Sequence, residues 1–249
     1  MCRMIAATGE LDLRALGQAL RQMAANNNPA HTHERRPLGE LFRHEDGWGA
    51  AWVENDTLHV RHSIRSCLTD PLVDELGELD TDLIVLHARR ASHPRTVCLE
   101  NTHPFLLEHN GRAWAFCHNG IIHDLSPLRP ATGLIPSGTI DSELLFHHVL
   151  NYLDSADLEQ SLIASLDPVQ DYTALHCMLV GPDQILATAK RHPLNGLPEY
   201  HALWEGTGPS IHVVSSEPVE GIGCRSWRRL PEPGVVTLHR EAFRFAGRA

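Results

Sequence analysis

The sequence predicts an α+β domain. Strand-like segments bounded by Gly or Pro recur along almost the whole chain, helical spacing of apolar residues occurs in only two places, and no internal repeat or low-complexity stretch divides the 249 residues. A chain of this length with 42% apolar residues can bury a full core. One domain over residues 1–249 is therefore the expectation.

A first strand is expected over Met4–Thr8, after which Asp12 can cap a helix whose Leu13, Leu16, Leu20 and Met23 lie at helical spacing. Asn26, Asn27, Asn28 and Pro29 end it. The polar stretch from Pro29 to Glu45, rich in His, Arg and Pro, reads as a long surface loop, because strand-like sequence resumes at Gly49. Further strands are expected over Thr57–Ser63, Asp82–Arg89, Arg112–His118, Thr173–Val180, Gln184–Lys190, Ile211–Ser216 and Val235–His239. Between them Thr139 or Asp141 opens a helix carrying Leu144, Leu145, Val149 and Leu153, and Ser155 can cap another carrying Leu158, Leu162 and Leu166.

Composition narrows the function. With 31 acidic against 21 basic residues the formal net charge is -10, and no Lys/Arg stripe survives on any segment, so neither nucleic acid nor an anionic membrane is expected as a partner. The start of the chain does not resemble a signal peptide and no apolar run is long enough to span a bilayer, which points to a cytoplasmic protein. The six cysteines include no C-x-x-C pair and are expected as free thiols. Eighteen histidines invite a metal reading, but His31/His33 and His147/His148 lack the spacing of a helical ligand pair, so neither metal nor cofactor is expected. The sequence leaves the oligomeric state open.

Cys2 follows the initiator methionine directly. Removal of Met1 would leave one residue carrying both a thiol and a free α-amino group, whose ordinary pKa of ~7.7–8.0 lets it accept the thiol proton near neutral pH. Taken alone, a Met-Cys start is equally a strand-embedded or frayed terminus. Four further segments bear on it. Leu86-His87-Ala88-Arg89-Arg90-Ala91-Ser92 places a guanidinium at a strand end, suited to a carboxylate or to a surface ion pair. Asn101-Thr102-His103-Pro104-Phe105 reads as a structural turn. Phe116-Cys117-His118-Asn119-Gly120 ends in an Asn-Gly pair, which in isolation marks a hairpin turn. Gly138-Thr139-Ile140-Asp141-Ser142-Glu143 puts a carboxylate at a helix start, where it is also an ordinary cap.

In this order the segments resemble the class II glutamine amidotransferases, whose glutaminase domains begin with a nucleophilic cysteine. The resemblance runs from Cys2 through Glu143 and, more faintly, to Ser215-Ser216-Glu217-Pro218. It implies the four-layer αββα sandwich of N-terminal nucleophile hydrolases, with Cys2 as nucleophile and Asn119 and the Gly120 N–H as oxyanion donors. It further implies Arg89, with Ser92 beside it, gripping a substrate carboxylate and Asp141 gripping the α-ammonium group. The substrate would be glutamine or a γ-glutamyl amide, cleaved through a thioester, and a catalytically silent glutamine-binding or scaffold module is the alternative. His44-Glu45-Asp46-Gly47-Trp48-Gly49 is similar to a segment of stand-alone members, including γ-glutamyl hydrolases of ergothioneine synthesis and glutathione breakdown; otherwise it is a Gly-rich turn with a buried Trp. Arg90 and Ser92 depart from the aromatic residue and Thr usual in synthase-linked members, which leaves strict preference for free glutamine open. No synthetase domain follows in the sequence, so released ammonia would go to a separate synthetase or to solvent.

Overall fold

A computed structural model describes residues 2–129, 136–153 and 157–240. Among these residues twelve strands form two antiparallel sheets. The first contains β1 (Arg3–Gly9), β2 (Trp48–Glu54), β3 (Thr57–Ser63), β4 (Leu83–Ala88), β9 (Trp204–Thr207), β10 (Ile211–Ser215) and β11 (Ser226–Arg229), in the order β11-β9-β10-β1-β4-β2-β3. The second contains β5 (Phe105–His109), β6 (Arg112–Asn119), β7 (His176–Val180), β8 (Gln184–Ala189) and β12 (Gly234–His239), in the order β12-β8-β7-β6-β5.

Side chains alternate across each strand, and that period of two separates the core into layers. Ile5 and Ala7 of β1, with Ile84 and Leu86 of β4, pack against Leu16, Leu20 and Met23 of helix α1 (Leu13–Ala24). Met4, Ala6, Val85, Ala115 and Cys117 fill the space between the sheets. Phe116 and Leu179, on the far face of the second sheet, meet helices α2 (Asp141–Leu150) and α3 (Leu158–Leu166). The layers are thus helix, sheet, sheet, helix: the expected αββα sandwich.

Asp12 caps α1 as the sequence predicts, its carboxylate accepting from the Ala15 N–H at 2.9 Å. Other expectations are corrected. The expected cap Ser155 lies outside the described residues, and α3 is capped by Asp157, which accepts from the Gln160 N–H at 3.0 Å. Of the two residues expected to open helix α2 it is Asp141 that does so, after Ile140 at the cap position, but the helix ends before the expected Leu153. The segment 29–45 is not a plain surface loop: Arg36–Phe42 turns as a kinked 3-10 helix, and His33, Phe42 and His44 are buried.

Candidate active site

The site forms where β1, β4 and β6 end together. Antiparallel pairing sets Arg3 opposite Ala88 and Met4 opposite His87, which brings Cys2, one residue further back, to the end of β4. The second sheet lies across the inter-sheet layer, and Asn119 at the end of β6 meets Cys2 there: the Cys2 N–H donates to Asn119 Oδ1 at 2.8 Å. That bond turns the Asn119 amide so that its NH₂ remains available as a donor. Gly120 follows, and a Cβ there would lie 1.8 Å from the Ala174 carbonyl oxygen, so only glycine fits.

A small cavity of about 60 Å³ opens beside the thiol, its wall including Cys2, Arg89, Ser92, His103, Gly120 and Asp141. Arg89 is buried; its Nη2 donates to Thr96 Oγ1 at 3.1 Å, while Nη1 has no hydrogen-bond partner among the described residues. A carboxylate would satisfy it. Asp141 is held from its own side, accepting from the Ile122 N–H at 2.7 Å and the Ser142 N–H at 2.9 Å. A carboxylate so fixed still has lone-pair capacity for an ammonium group. Ser92 is exposed at the mouth. A larger, open depression of about 600 Å³, lined by Glu10, Asp80, Asp82 and Arg240 among others, contains no nucleophilic thiol, so chemistry rather than volume selects the site.

The loops that carry these groups are pinned by the motifs. Asp46 accepts from the Ala91 N–H at 2.8 Å, and the backbone of Asp46 and Gly47 pairs with that of Arg89, which fixes the chain after β4. Trp48 is buried, and its indole donates to Asp70 at 3.0 Å. Asn101 accepts from the Thr139 N–H at 2.8 Å and donates to the Thr96 carbonyl at 3.1 Å, tying the Arg89 support to the start of α2. Glu143 holds the same approach from the other side, accepting from the Ser137 and Gly138 N–H groups at 2.7 and 2.6 Å. A Cβ at Gly49 would lie 2.2 Å from the His103 carbonyl oxygen, so a glycine in β2 admits the turn that brings His103 to the cavity.

Burial alone would raise the Cys2 thiol. Electrostatic attraction to the neighbouring His87 and to the chain's amino terminus, with the Arg90 N–H, outweighs that effect and brings it down to about 6. Behind the nucleophile, on the other face of β1, the fully buried Arg3 pairs with Glu217 at 3.0 Å. The same carboxylate meets His33 at 3.2 Å, Arg36 at 3.2 Å and the Asn28 side-chain amide at 2.9 Å. Three positive or polar partners from the 28–36 segment are thereby fastened to the first strand, and Glu217 is held below the ordinary carboxylate range despite its burial.

The sequence profile of the family described as "Glutamine amidotransferases class-II" matches residues 31–180, more than half of the chain. The chain belongs to that family. The curated Haemophilus influenzae protein "Putative glutamine amidotransferase" is 31% identical over 121 residues, covering 48% of this chain and 40% of its own length. Glutamine–fructose-6-phosphate aminotransferase (isomerizing) of Chlamydia pneumoniae is 30% identical over 162 residues, 61% of this chain and 26% of that protein. The chain thus matches less than half the length of these relatives. Among solved structures, the B. subtilis glutamine phosphoribosylpyrophosphate amidotransferase superposes with a TM-score of 0.67 at 18% identity, covering 96% of this chain and 48% of the other. A glutamine aminotransferase class-II domain protein of Silicibacter pomeroyi gives 0.60 at 15% identity, with 96% of both chains covered. These likenesses establish the fold of a class-II amidotransferase.

Within this member of the family the structure brings Cys2, Arg89, Ser92, Gly120 and Asp141 to one cavity and sets Asn119 against the Cys2 backbone. Sequence reasoning assigned no role to His87, Thr96 or His103. His87 could have been found, since it lies two residues before Arg89 and the period of a strand puts both on the same face. Thr96 carries no comparable signal.

Proposed function

We propose that this class-II amidotransferase hydrolyses the side-chain amide of glutamine or of a γ-glutamyl compound, with residues 1–249 acting as one glutaminase-type domain. The observation that carries the reading is the meeting, in one cavity, of a thiol brought down to about 6 with a buried guanidinium and a fixed carboxylate. Arg89 and Asp141 offer opposite charges to the two ends of an α-amino acid, which leaves the amide carbon to Cys2.

In this mechanism Met1 is removed and Cys2 Sγ attacks the δ-carbonyl carbon. The carbonyl electrons move to oxygen, where the Asn119 amide and the Gly120 N–H receive the charge. The intermediate collapses to a γ-glutamyl thioester as the amine departs with a proton relayed through the Cys2 α-amine; water then releases glutamate by the reverse relay. Ammonia passes to a separate synthetase or to solvent, or a larger amine leaves when the substrate is a γ-glutamyl peptide or metabolite.

Single-turnover comparison of glutamine with γ-glutamyl amides, in wild type and Cys2→Ala, tests the reading. Glutamate release from wild type alone is expected. A wild-type protein that binds glutamine without releasing glutamate would instead mark the chain as a binding or scaffold module.

A further inference from the structure

The glutamyl head group accounts for two of the charges in the cavity wall, and a third has no task. Glutamine carries one carboxylate and one ammonium group, which meet Arg89 and Asp141. The same wall contains Arg90, half-buried and one residue along from Arg89. In a chain whose formal net charge is -10, a second guanidinium beside the nucleophile is a charge for which glutamine gives no reason.

Strand alternation sends the two arginines to different sides. Along β4, Val85 faces the space between the sheets, as Met4 does on β1, while Leu86 and Ala88 face α1. The backbone pairing of Arg89 with Asp46 and Gly47 carries the ladder one residue past the strand, so Arg89 falls on the inter-sheet face with Cys2, and Arg90 on the other. The contacts agree. Arg89 reaches Thr96, which Asn101 ties to the start of α2 and so to Asp141. Arg90 lies instead over the ring of the buried Phe42, its guanidinium carbon 4.2 Å from the ring centroid. Phe42 meets Tyr200 edge-on at 5.1 Å, and Tyr200 lies under Arg3 at 4.0 Å, which makes the ring a rigid seat. Arg35 approaches the same Phe42 ring at 5.3 Å, so two cations gather on that side of the nucleophile.

An amide held by its glutamyl head between Arg89 and Asp141, with Cys2 at the carbonyl carbon, has only its leaving amine left to place. The side not taken by the head group is the side of Arg90 and Phe42. Stacking on a ring fixes the plane of a guanidinium and directs its N–H groups outward along the edge, the geometry that grips a carboxylate. We propose that Arg90 is a specificity-determining residue that receives a carboxylate on the leaving amine, so that the preferred substrates are γ-glutamyl amino acids and short γ-glutamyl peptides rather than free glutamine. The inference rests on the amidohydrolase reading and narrows it: the leaving group is itself an amino acid or peptide, whose negative charge meets the guanidinium seated on Phe42. Ammonia offers Arg90 no such partner.

Matched substrates test this, since γ-glutamylglycine and γ-glutamylglycinamide differ only in whether the leaving amine carries a carboxylate. For glutamate release by wild type, kcat/KM is expected to favour the carboxylate by at least ~10-fold, the scale of one hydrogen bond to a charged group, with glutamine used less well than γ-glutamylglycine. Arg90→Gln is expected to bring the carboxylate-to-carboxamide ratio close to one, and Arg35→Gln to leave most of it. The ratio is read within each variant, so a general loss of activity cancels. A wild-type ratio near one, a wild-type preference for glutamine, a ratio that Arg90→Gln does not lower, or an equal fall in Arg35→Gln overturns the proposal. Should Arg90→Gln fail to fold, Arg90→Lys, which keeps the charge without the fork, is expected to lose part of the preference, and an unchanged ratio there overturns it. Calorimetric titration of both compounds into Cys2→Ala reads the same preference as a ratio of Kd values, without turnover. Tighter binding of the carboxylate that is lost in Cys2→Ala/Arg90→Gln, with no glutamate released by wild type, would sink the amidohydrolase reading and leave the role of Arg90 standing. Glutamate release with equal use of both amides would do the reverse.

Discussion

Cys2 and Cys117 are both buried, lie within electrostatic reach of one another, and are shifted in opposite directions. Cys117 sits among Met4, Ala6, Met178 and other apolar residues between the sheets, and burial drives its thiol well above the ordinary range. Cys2 stands at the edge of the same layer, where β4 delivers His87 and the Arg90 N–H, and it is brought down to about 6. Burial is thus no guide to a thiol's reactivity in this fold; the cations and donors at the strand ends decide.

The sharpest way to break this contrast is to exchange the two thiols for alanine. Cys2→Ala is expected to abolish glutamate release, whereas Cys117→Ala keeps turnover within a few-fold of wild type and loses ~1 kcal/mol of stability, measured by denaturant melts. Asn119→Ala is next in size: loss of one oxyanion donor is expected to cost ~10²–10³ in kcat with KM little changed. Arg89→Lys, which replaces a forked guanidinium by a point charge, is expected to raise KM ~10–100-fold while the pH profile of Cys2 alkylation by iodoacetamide stays in place, separating substrate grip from thiol activation.

The smallest effect concerns pH. His44, His103, His176 and His201 are buried and lowered by burial, His176 to about 3 and His201 to about 2. Above ~6.5 both folded and unfolded forms of these rings are neutral; below it the unfolded chain takes protons that the folded one refuses, so stability is lost as pH falls from ~6.5 toward 3. Urea midpoints that decline steadily from pH 7 to pH 4.5 are expected, and a midpoint that rises over that range would contradict the burial of these rings in neutral form.

Two Asn-Gly pairs show how far local sequence carries. Asn110-Gly111 joins β5 to β6, and both residues have positive φ, 52° and 71°, as a two-residue hairpin of primed type requires. Asn119-Gly120 shares that local signal but is no hairpin: Asn119 is fixed by Cys2, 117 residues away in sequence, and Gly120 by the Ala174 carbonyl. The first pair takes its meaning from its immediate neighbours, since β5 and β6 pair directly across it, with His109 opposite Arg112; the run Phe-Leu-Leu-Glu-His that precedes it does not alternate, so β5 carries no strand period of its own. The second becomes meaningful only through long-range contacts, or through the ordered motifs of the family.

The same division runs through the rest of the molecule. Strongly patterned elements such as α1 and β4 were expected close to their observed bounds. The four-residue β9 and the polar edge strand β11, Ser226–Arg229, have no periodicity to read and exist through pairing with one another and with β10. The 29–45 segment looked solvent-exposed because it is rich in charged and polar residues. Its burial depends on Glu217, nearly two hundred residues on, whose carboxylate gathers Arg3, His33 and Arg36. Charge complementarity over such a distance leaves no local trace.

Acid-quenching the wild-type protein during turnover of glutamine, followed by peptide mass spectrometry, tests the role of Cys2 most directly. A glutamyl thioester is expected on the N-terminal peptide beginning at Cys2, with Met1 removed, and absent from Cys2→Ala. Turnover without any adduct on Cys2, undiminished in Cys2→Ala, would contradict it.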